Sequence, residues 1–439
     1  MLLSIPQQYR APYMQRSAIA KVRDQRLRQT IHWAYQNVPF YRQEIDHAGL
    51  RPSVIRSIDD LSLLPVISEG QLRDDPLQFL SGCFRPQECC LLKSGGSTGI
   101  QKTIYHDFPS LLMNIAYSER QDSLYRRVIG RRFRYRVLRI DSPESTQRNV
   151  RKAYLRLLQP LLALGPRHEQ VDISTPFEEK VRRINRFRPS MVTGYSRAVA
   201  ELYDRARREN LPIFRPALIR LGGEALPVEL RKMLEEYWKI PVLMSYQSNE
   251  SLKIGFECEQ RNGYHLHEDL CIVRIVDEND HCVPDGETGR VIITNLVNRG
   301  SVLINFDQGD TGRIIPGPCA CGRTFRRLEL EKTRRNPLLK TPDGRVIHPA
   351  EVIMFVAKWP EVAMVQVIVE KPDQWRIGIV TKDREKTGAW LYEAGRVLQE
   401  DIAGPSVNIR MEILDEPEKS DVGKTLRIII RCWGEEPYV

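Results

Sequence analysis

Several kinds of segment and motif are absent from the sequence, and each absence excludes a class of protein. It has no run of about 18 apolar residues, so neither a transmembrane helix nor a membrane partner is expected. The opening MLLSIPQQYR has no apolar signal core, which predicts a cytoplasmic protein. Zinc-finger arrays, RNP motifs and basic tails are absent, so nucleic acid is not an expected partner. Without a secretory signal, nine cysteines favour reduced thiols or a metal site over a disulfide framework.

The composition is that of a soluble enzyme with a large core. The chain has 439 residues, of which 41% are hydrophobic and 28% are charged, enough for more than one domain. Lysine and arginine exceed aspartate and glutamate, and the net charge is +10. This balance favours anionic partners such as nucleotides, coenzyme A or an acidic carrier protein.

The hydrophobic pattern predicts an α/β protein with a small second domain. Apolar residues at Leu27, Ile31, Ala34 and Tyr35 follow a helical period, and Pro39 is expected to end that helix. Strands are predicted at Ala217–Leu221, Pro241–Ser245, Val291–Leu296, Ala363–Val369, Trp375–Thr381 and Val407–Leu414, and helices at Val228–Tyr237 and Glu385–Asp401. A domain boundary is predicted near Arg334–Pro337, where KTRRNP interrupts the pattern.

One loop has the composition of a phosphate site. The string KSGGSTGIQKT spans residues 93–103 and lacks the ending of a Walker loop. Glycines allow tight turns that point N–H groups at an anion, and hydroxyls add donors. The candidate phosphate ligands are Ser94, Gly95, Gly96, Ser97, Thr98, Gly99 and Lys102. Taken alone, the same letters also describe an ordinary Gly/Ser turn.

Further motifs follow in a fixed order and suggest a family. They are LGGE at 221–224, SYQSNE at 245–250, FDQGD at 306–310 and DVGKTLR near the end of the chain. This order resembles the adenylate-forming enzymes. The segment RLRQTIHWAYQNVPFYRQEIDHAGL, residues 26–50, resembles the opening of the phenylacetate–coenzyme A ligases within that superfamily.

The resemblance covers nearly the whole chain and implies a fold and a reaction. The fold would be a large N-terminal adenylation domain, residues 1–334, and a small mobile α+β lid, residues 335–439. A carboxylic acid, which could be an aryl acid, would attack the α-phosphate of ATP in the presence of Mg²⁺. The acyl-adenylate would then react with a thiol, with coenzyme A as the expected acceptor. An amine, a carrier-protein thiol, a homodimer and a nucleotide-binding protein without turnover remain open alternatives.

The same resemblance implies roles for individual residues. Gly223 and Glu224 would pass close to adenine, and Tyr246 would stack on it, while Gln247 and Asn249 depart from the family's usual letters. Glu250 would hold Mg²⁺, a hard cation that prefers carboxylate oxygen.

Three further residues would complete the nucleotide site. Asp310 would accept hydrogen bonds from the ribose hydroxyls, and Arg335 would contact the ribose or phosphate. Lys424 would be the catalytic lysine, because an ammonium offsets negative charge in the transition state. Ile100 and Gln101 in the loop, and Asn336 and Pro337 after Arg335, differ from the family pattern.

Cysteine and histidine spacing indicates a zinc site. Cys258 and His265 are followed by Cys319 and Cys321, and three thiolates with one imidazole make a closed tetrahedral Zn²⁺ site. Relatives of the phenylacetate–coenzyme A ligases carry a similar pattern, which implies a structural ion. The competing ligands are His267, Cys271, His281 and Cys282, and free buried thiols are the alternative without a metal.

The acyl pocket is the least defined part of the sequence. By family position, residues 192–196 would line it. The segment YRRVIGRRFRYRVLR, residues 125–139, carries seven arginines where aryl ligases have Gly and Tyr. It is interpreted either as a solvated basic face or as a dock for an anionic substrate, coenzyme A phosphates or a carrier protein.

Overall fold

The protein is described here from a computed structural model. It covers residues 5–95, 101–131, 133–141, 150, 165–173, 175–223, 225–331, 339–347, 352–353, 355–356, 359–418 and 428–431. By its internal contacts the chain divides into two compact units. The first comprises Met1–Lys93 with Thr103–Lys332, and the second comprises Ser94–Lys102 with Thr333–Val439. The assignment of an adenylation domain and a lid to residues 1–334 and 335–439 stays a prediction.

The helices are mostly short, apart from two long ones in the first unit. They are α1 Ile5–Arg10, α2 Arg16–Asn37, α3 Pro39–His47, α4 Glu69–Asp74, α5 Phe108–Ile129, α6 Phe177–Phe187, α7 Ser196–Arg208, α8 Val228–Lys232 and α9 Arg384–Val397. Segments of π-helix, Met233–Tyr237 and Leu398–Ala403, continue α8 and α9. Short 3₁₀ turns occupy Ala11–Tyr13, Pro52–Val54, Asp59–Leu63, Pro76–Phe79 and Pro86–Glu88.

The strands number nineteen within the residues that the structure describes. In the first half of the chain they are β1 Cys90–Gly95, β2 Gln101–His106, β3 Arg136–Asp141, β4 Arg167–Asp172, β5 Met191–Tyr195, β6 Leu218–Gly222, β7 Val242–Tyr246, β8 Gly255–Glu257 and β9 Tyr264–Leu266. Those that follow are β10 Cys271–Val276, β11 Gly289–Asn295, β12 Phe306–Ile315, β13 Arg327–Leu330, β14 Leu339–Lys340, β15 Val346–Ile347, β16 Val362–Lys371, β17 Gln374–Thr381, β18 Asn408–Leu414 and β19 Ile428–Ile430.

Local sequence explains the long helix α5, which packs on the central sheet. Asp107 caps its first turn by accepting a hydrogen bond from the Ser110 N–H at 2.8 Å, and Pro109 fits the position that needs no donor. Gly130 ends the helix with φ of 71°, a left-handed conformation that glycine adopts without strain. The helix therefore begins and ends where its own residues specify.

An eleven-stranded sheet organises the first unit. Its order is β10-β11-β12-β13-β9-β8-β7-β6-β5-β3-β4. The strands β4, β3, β5, β6 and β7 run parallel, and the pairs from β7 to β10 are antiparallel. One apolar core lies between the parallel strands and α6 and α7, and another joins α2 and α3 to the antiparallel strands. The carboxyl ends of the parallel strands therefore meet along one edge, the usual place for ligands in such sheets.

The second unit has its own sheet and core. Its four strands have the order β18-β17-β16-β19, in which only β16 and β17 pair antiparallel. Trp375 and Ile377 of β17 lie in a buried cluster with Leu398 and Val407. The short pair β14 and β15 forms a separate hairpin. The strands predicted here from apolar runs are present, and their ends lie within two residues of the predicted ones.

Candidate nucleotide and metal sites

Two residues predicted to hold the nucleoside meet in the structure. Tyr246 ends β7 and Asp310 lies in β12, and the Tyr246 hydroxyl donates to Asp310 Oδ2 at 2.7 Å. The Tyr246 ring also lies 5.9 Å from the Tyr264 ring, so it is held on a second side. An aromatic face and a carboxylate are thus fixed relative to each other at the carboxyl edge of the sheet.

The loop after β7 carries the next two predicted residues and is tied down through its backbone. His106 Nε2 lies 2.7 Å from the Asn249 carbonyl oxygen, and the Asn295 amide donates to the Glu250 carbonyl oxygen at 2.8 Å. The Glu250 side chain is buried. Gln247 lies in the same loop, directly after β7. These bonds fix the backbone that presents the Glu250 carboxyl group.

His106 is a residue that motif reasoning missed. Its side chain is fully buried, and burial lowers its pKa below the usual value, so the neutral form donates from Nε2 to Asn249. Its Nδ1 has no hydrogen-bond partner in the part of the chain that the structure covers. The available signal was its place at the end of β2, directly before the Asp107 cap.

The turn after β6 favours glycine at two positions. A Cβ on Gly222 would lie 3.0 Å from the Ser245 carbonyl oxygen. Gly223 has φ of 86°, in the region that side chains disfavour. The predicted close approach of backbone at this turn is therefore compatible with its geometry.

Several predicted residues lie outside the described residues. They are Gly96, Ser97, Thr98, Gly99, Glu224, Arg335 and Lys424. Of the other loop residues, Ser94 and Gly95 end β1, and Lys102 lies in β2. The structure thus describes the two ends of the predicted phosphate loop, which lie in the paired strands β1 and β2.

The four predicted zinc ligands come together. The ligand atoms of Cys258, His265, Cys319 and Cys321 all lie within 4.8 Å of one another. Cys258 Sγ lies 3.7 Å from Cys319 Sγ, and Cys321 Sγ lies 3.3 Å from His265 Nε2. Residues far apart in sequence therefore form one compact group of three thiols and one imidazole.

The surroundings of this group orient its donors. His265 Nδ1 faces the Phe325 carbonyl oxygen at 3.3 Å, which leaves Nε2 directed at the cysteines. Burial lowers the pKa of His265 to about 4 and keeps the imidazole neutral. Burial raises the pKa of the Cys258 thiol to about 12, whereas the pKa of Cys321 is lowered, because hydrogen bonds from Arg323 outweigh its burial.

The competing ligands have other surroundings. His267 Nδ1 lies 3.5 Å from Arg120 Nη1, and the Cys271 thiol faces the Ile272 carbonyl oxygen. His281 is exposed beside Asp277, and Cys282 contacts the Arg274 guanidinium. None of the four belongs to the cluster found among the described residues.

The arginine-rich segment 125–139 is not one uniform surface. Arg126 pairs with Glu119 at 2.6 Å, and Arg127 lies 3.6 Å from Glu259. Arg139 lies on β3, with its Nε 4.0 Å from Asp141 Oδ2. The segment therefore runs across the end of α5, the turn at Gly130 and β3, and its arginines have different neighbours.

Comparison with known proteins identifies similar ligases. No known family profile matches the chain. A phenylacetate–coenzyme A ligase of Thermus thermophilus is 25% identical over 451 aligned residues, which cover 96% of this chain and 94% of that protein. Another of Pseudomonas putida is 26% identical, with coverage of 69% and 68%.

Solved structures show the same fold. A 2-hydroxyisobutyryl-CoA ligase in a postadenylation state, in complex with R3-HIB-AMP, matches with a TM-score of 0.68 at 18% identity. The match covers 96% of this chain and 91% of that one. The same ligase with 2-HIB-AMP and CoA, in its thioesterification state, matches with a TM-score of 0.63.

These findings confirm the resemblance and the fold class. The chain is similar to the phenylacetate–coenzyme A ligases over nearly its full length and has the α/β fold of the adenylate-forming superfamily. The predicted enzyme class is an acid–thiol ligase. It is supported because four matching relatives are all named phenylacetate–coenzyme A ligases. Among the helices that the structure describes, none is both long and apolar enough to cross a membrane.

Proposed function

We propose that this chain activates a carboxylic acid with ATP and transfers the acyl group to coenzyme A. The observation that carries the proposal is the Tyr246–Asp310 pair at the carboxyl edge of the sheet, in a chain similar to coenzyme A ligases over 96% of its length. In the first step the carboxylate would attack the α-phosphate, and pyrophosphate would leave. In the second, a thiol would attack the acyl carbon, and AMP would leave.

The nucleoside would be held by the paired side chains. The Tyr246 ring offers a face for adenine, and the Asp310 carboxylate can accept hydrogen bonds from two ribose hydroxyls. Because Tyr246 already donates to Asp310, the two groups need little rearrangement on binding. The loop from Ser94 to Lys102 and the turn at Gly223 and Glu224 would supply phosphate and adenine contacts, as would Gln247, Asn249 and Arg335.

The Glu250 carboxyl group fits the proposed magnesium site. It is buried, follows the nucleoside-binding Tyr246 by four residues, and has the oxygen donors that Mg²⁺ prefers. Bound Mg²⁺ would neutralise charge on the phosphates. The backbone bonds from Asn295 and His106 would keep the Glu250 segment in place during that step.

Lys424 is proposed as the catalytic lysine of a mobile C-terminal lid. Its ammonium would offset charge on the α-phosphate and the acyl oxygen in the first step. The motif GKTLR is its support. Lys424→Ala should slow adenylate formation by a factor on the order of 10² and leave thioester formation from a supplied acyl-adenylate much less affected.

The cluster of Cys258, His265, Cys319 and Cys321 is proposed as a structural zinc site. Three thiols and one imidazole within 4.8 Å of one another fit a closed tetrahedral ion. Elemental analysis should find about one zinc per chain. Cys319→Ser should lower the zinc content and the melting temperature, and the exposed Cys282→Ser should change neither. Full stability without metal would contradict the site.

The test of the reaction is a product assay with varied acids and acceptors. ATP, Mg²⁺ and a panel of carboxylic acids should give AMP and pyrophosphate, and added coenzyme A should give a thioester. Formation of ADP and phosphate would exclude an adenylate. Turnover only with an amine or a carrier-protein thiol would reassign the acceptor. Absence of pyrophosphate with every acid would favour nucleotide binding without turnover.

A matched pair of variants tests the nucleoside site. Asp310→Ala should raise the KM for ATP about tenfold or more, because the ribose loses a charged acceptor. Glu329 lies on the neighbouring strand β13 in an exposed ion pair with Arg313, and Glu329→Ala should leave that KM unchanged. Equal effects of the two substitutions would place the nucleotide elsewhere.

A further inference from the structure

A row of polar side chains crosses one face of the parallel sheet. The row consists of Arg139 on β3, Thr193 on β5, Arg220 on β6 and Ser245 on β7. Pairing places Arg139 beside Thr193 and Thr193 beside Arg220, and the Arg220 Nε donates to Ser245 Oγ at 3.0 Å. Parallel strands covered on both faces are normally apolar throughout, so the row is unusual.

The row begins where the apolar contact with α5 ends. Two residues earlier on the same strands lie Val137, Met191, Leu218 and Leu243, which form a buried cluster with Leu124 and Tyr125 of α5. Because side chains alternate along a strand, the polar row shares this face and lies nearer the carboxyl ends. The row therefore lies between this apolar cluster and the edge of the sheet where Tyr246 lies.

Charged groups outside the sheet surround the same space. Lys253 follows Glu250 by three residues, is buried, and donates from Nζ to the Asn114 carbonyl oxygen of α5. The carboxylate of Asp122 on α5 interacts electrostatically with the positive charges of Lys253 and Arg220. Burial lowers the pKa of Lys253 to about 8 and raises the pKa of Asp122 to about 6. Ionisable groups are costly to bury, so their concentration here points to recognition of a polar ligand.

Asp141 completes the arrangement at the end of β3. Its residue is only 4% exposed, and Oδ1 accepts a hydrogen bond from the Gln170 amide at 2.8 Å. Oδ2 has no hydrogen-bond partner among the residues covered by the structure, because the Arg139 Nε is 4.0 Å away. A buried carboxylate oxygen in this state is an acceptor that lacks a donor.

The position of Asp141 relates it to the proposed reaction. It is the last residue of β3, as Tyr195 is of β5 and Tyr246 is of β7. The strand order β3-β5-β6-β7 places Asp141 on the same edge as Tyr246, at the end away from Asp310. A substrate with its carboxylate at the nucleotide would extend along this edge toward β3.

We propose that Asp141 determines substrate specificity by accepting a hydrogen bond from a hydroxyl group of the carboxylic acid. The substrate class is then hydroxylated acids, which narrows the carboxylic acid, aryl or not, that the sequence indicated. This inference rests on the proposed function and refines its substrate. An ammonium group could also donate to Asp141, but the Arg139 guanidinium, with its Nε 4.0 Å from Oδ2, would repel it, which favours a neutral donor.

The experiment compares acids that differ by one group. Pyrophosphate release is measured for matched sets with one carbon skeleton, each with a plain, a hydroxylated and an amino-substituted acid. The wild type should prefer the hydroxylated member of at least one set by about tenfold or more in kcat/KM. Asp141→Leu should reduce that ratio toward one, and Asp141→Asn, which keeps an acceptor oxygen, should retain part of it.

The control is the carboxylate that pairs with Asp141 in the sheet. Asp172 ends β4 directly beside it, and Asp172→Asn should leave the preference intact. If Asp141→Leu fails to fold, the Asn variant and the wild-type preference still decide. A wild type that prefers plain acids, or an unchanged ratio in both Asp141 variants, overturns the inference while leaving acid activation standing. If the wild type prefers the amino-substituted acids and Asp141→Asn abolishes that preference, the assignment of a hydroxyl group is overturned. Absence of pyrophosphate with every acid overturns both proposals.

Discussion

The two faces of the parallel strands obey different rules. On the face covered by α6 and α7, β3 carries Leu138 and Ile140, and β6 carries Ile219 and Leu221, all buried in one apolar cluster. On the face toward α5, the same strands change from apolar to polar halfway along. Since both faces are covered by helices, burial alone does not explain the difference. The apolar side chains on the first face are those that the fold requires for stability. The polar side chains on the face toward α5 are not required for the stability of the fold.

The comparison separates stability from recognition. Apolar side chains stabilise by leaving water, whereas buried arginine and aspartate lose hydration that protein partners only partly replace. A sheet selected for stability alone would carry leucine or valine at Arg139 and Arg220. The polar row is therefore the part of this core that is best explained by a ligand.

The largest expected loss of stability comes from removing an ion pair that holds α5, the helix that covers the polar row. Arg120 of α5 binds Asp269 through two bonds of 2.7 and 2.8 Å. Burial would raise the pKa of Asp269, but this guanidinium outweighs burial and lowers the pKa to about 2. Arg120→Met should lower the free energy of unfolding by about 3–5 kcal/mol, because it leaves a buried charge without its main partner.

Chemical denaturation measures this loss. The exposed ion pair of Arg208 with Asp204 provides the control, and Arg208→Met should cost about 0–1 kcal/mol. Similar values for the two variants would show that α5 is held by its apolar contacts alone.

A smaller loss of stability is expected on the apolar face. Leu221→Ala should lower the free energy of unfolding by about 2–5 kcal/mol, from lost burial and the cavity left behind. Substrate preference in the pyrophosphate assay should stay unchanged. The neighbouring Arg220→Leu should do the opposite, with a stability change of about 1 kcal/mol for its bond to Ser245 and a clear change in preference. Identical outcomes for these neighbours would remove the distinction between the faces.

The smallest effect concerns pH. The pKa of Lys253 is about 8 in the folded protein, against 10.5 as its ordinary value. Between these values the unfolded chain binds more protons at this group, so its contribution to stability rises with pH. The groups that face it are Asp122, Arg220 and Arg120.

Lys253→Met should flatten the rise in stability between about pH 8 and 10.5 by an amount on the order of 1–3 kcal/mol. The difference between wild-type and variant denaturation curves across that range removes the contribution of other groups. A constant difference from pH 7 to 10.5 would show that the lysine does not change protonation on folding.

Sequence reasoning predicted the elements and motifs better than the substrate space. Apolar runs indicated the strands because buried strands need them, and the motifs singled out Tyr246 and Asp310, whose side chains are joined by a hydrogen bond in the structure. The spacing of cysteine and histidine predicted four metal ligands, and the structure brings these four residues together. In each case the information is local to a short stretch of residues.

The polar row could not be found in this way. Arg139 was one of seven arginines in a single segment, and only strand pairing shows that it lies beside Thr193 and near Arg220. Asp141 and His106 carry no motif, and their meaning comes from burial and from partners distant in sequence. The π-helical ends after α8 and α9 likewise lie within segments predicted as plain helices.

The Cys/His cluster has a consequence for how the chain reaches its fold. An ion shared by His265 and Cys319 would close a loop that contains β10, β11 and β12, and therefore Asp310. Closing a long loop costs chain entropy before its contacts form, which slows folding. An ion bound early would remove that entropy from the unfolded ensemble, so metal supply during synthesis would govern how fast the strand that carries Asp310 finds its place.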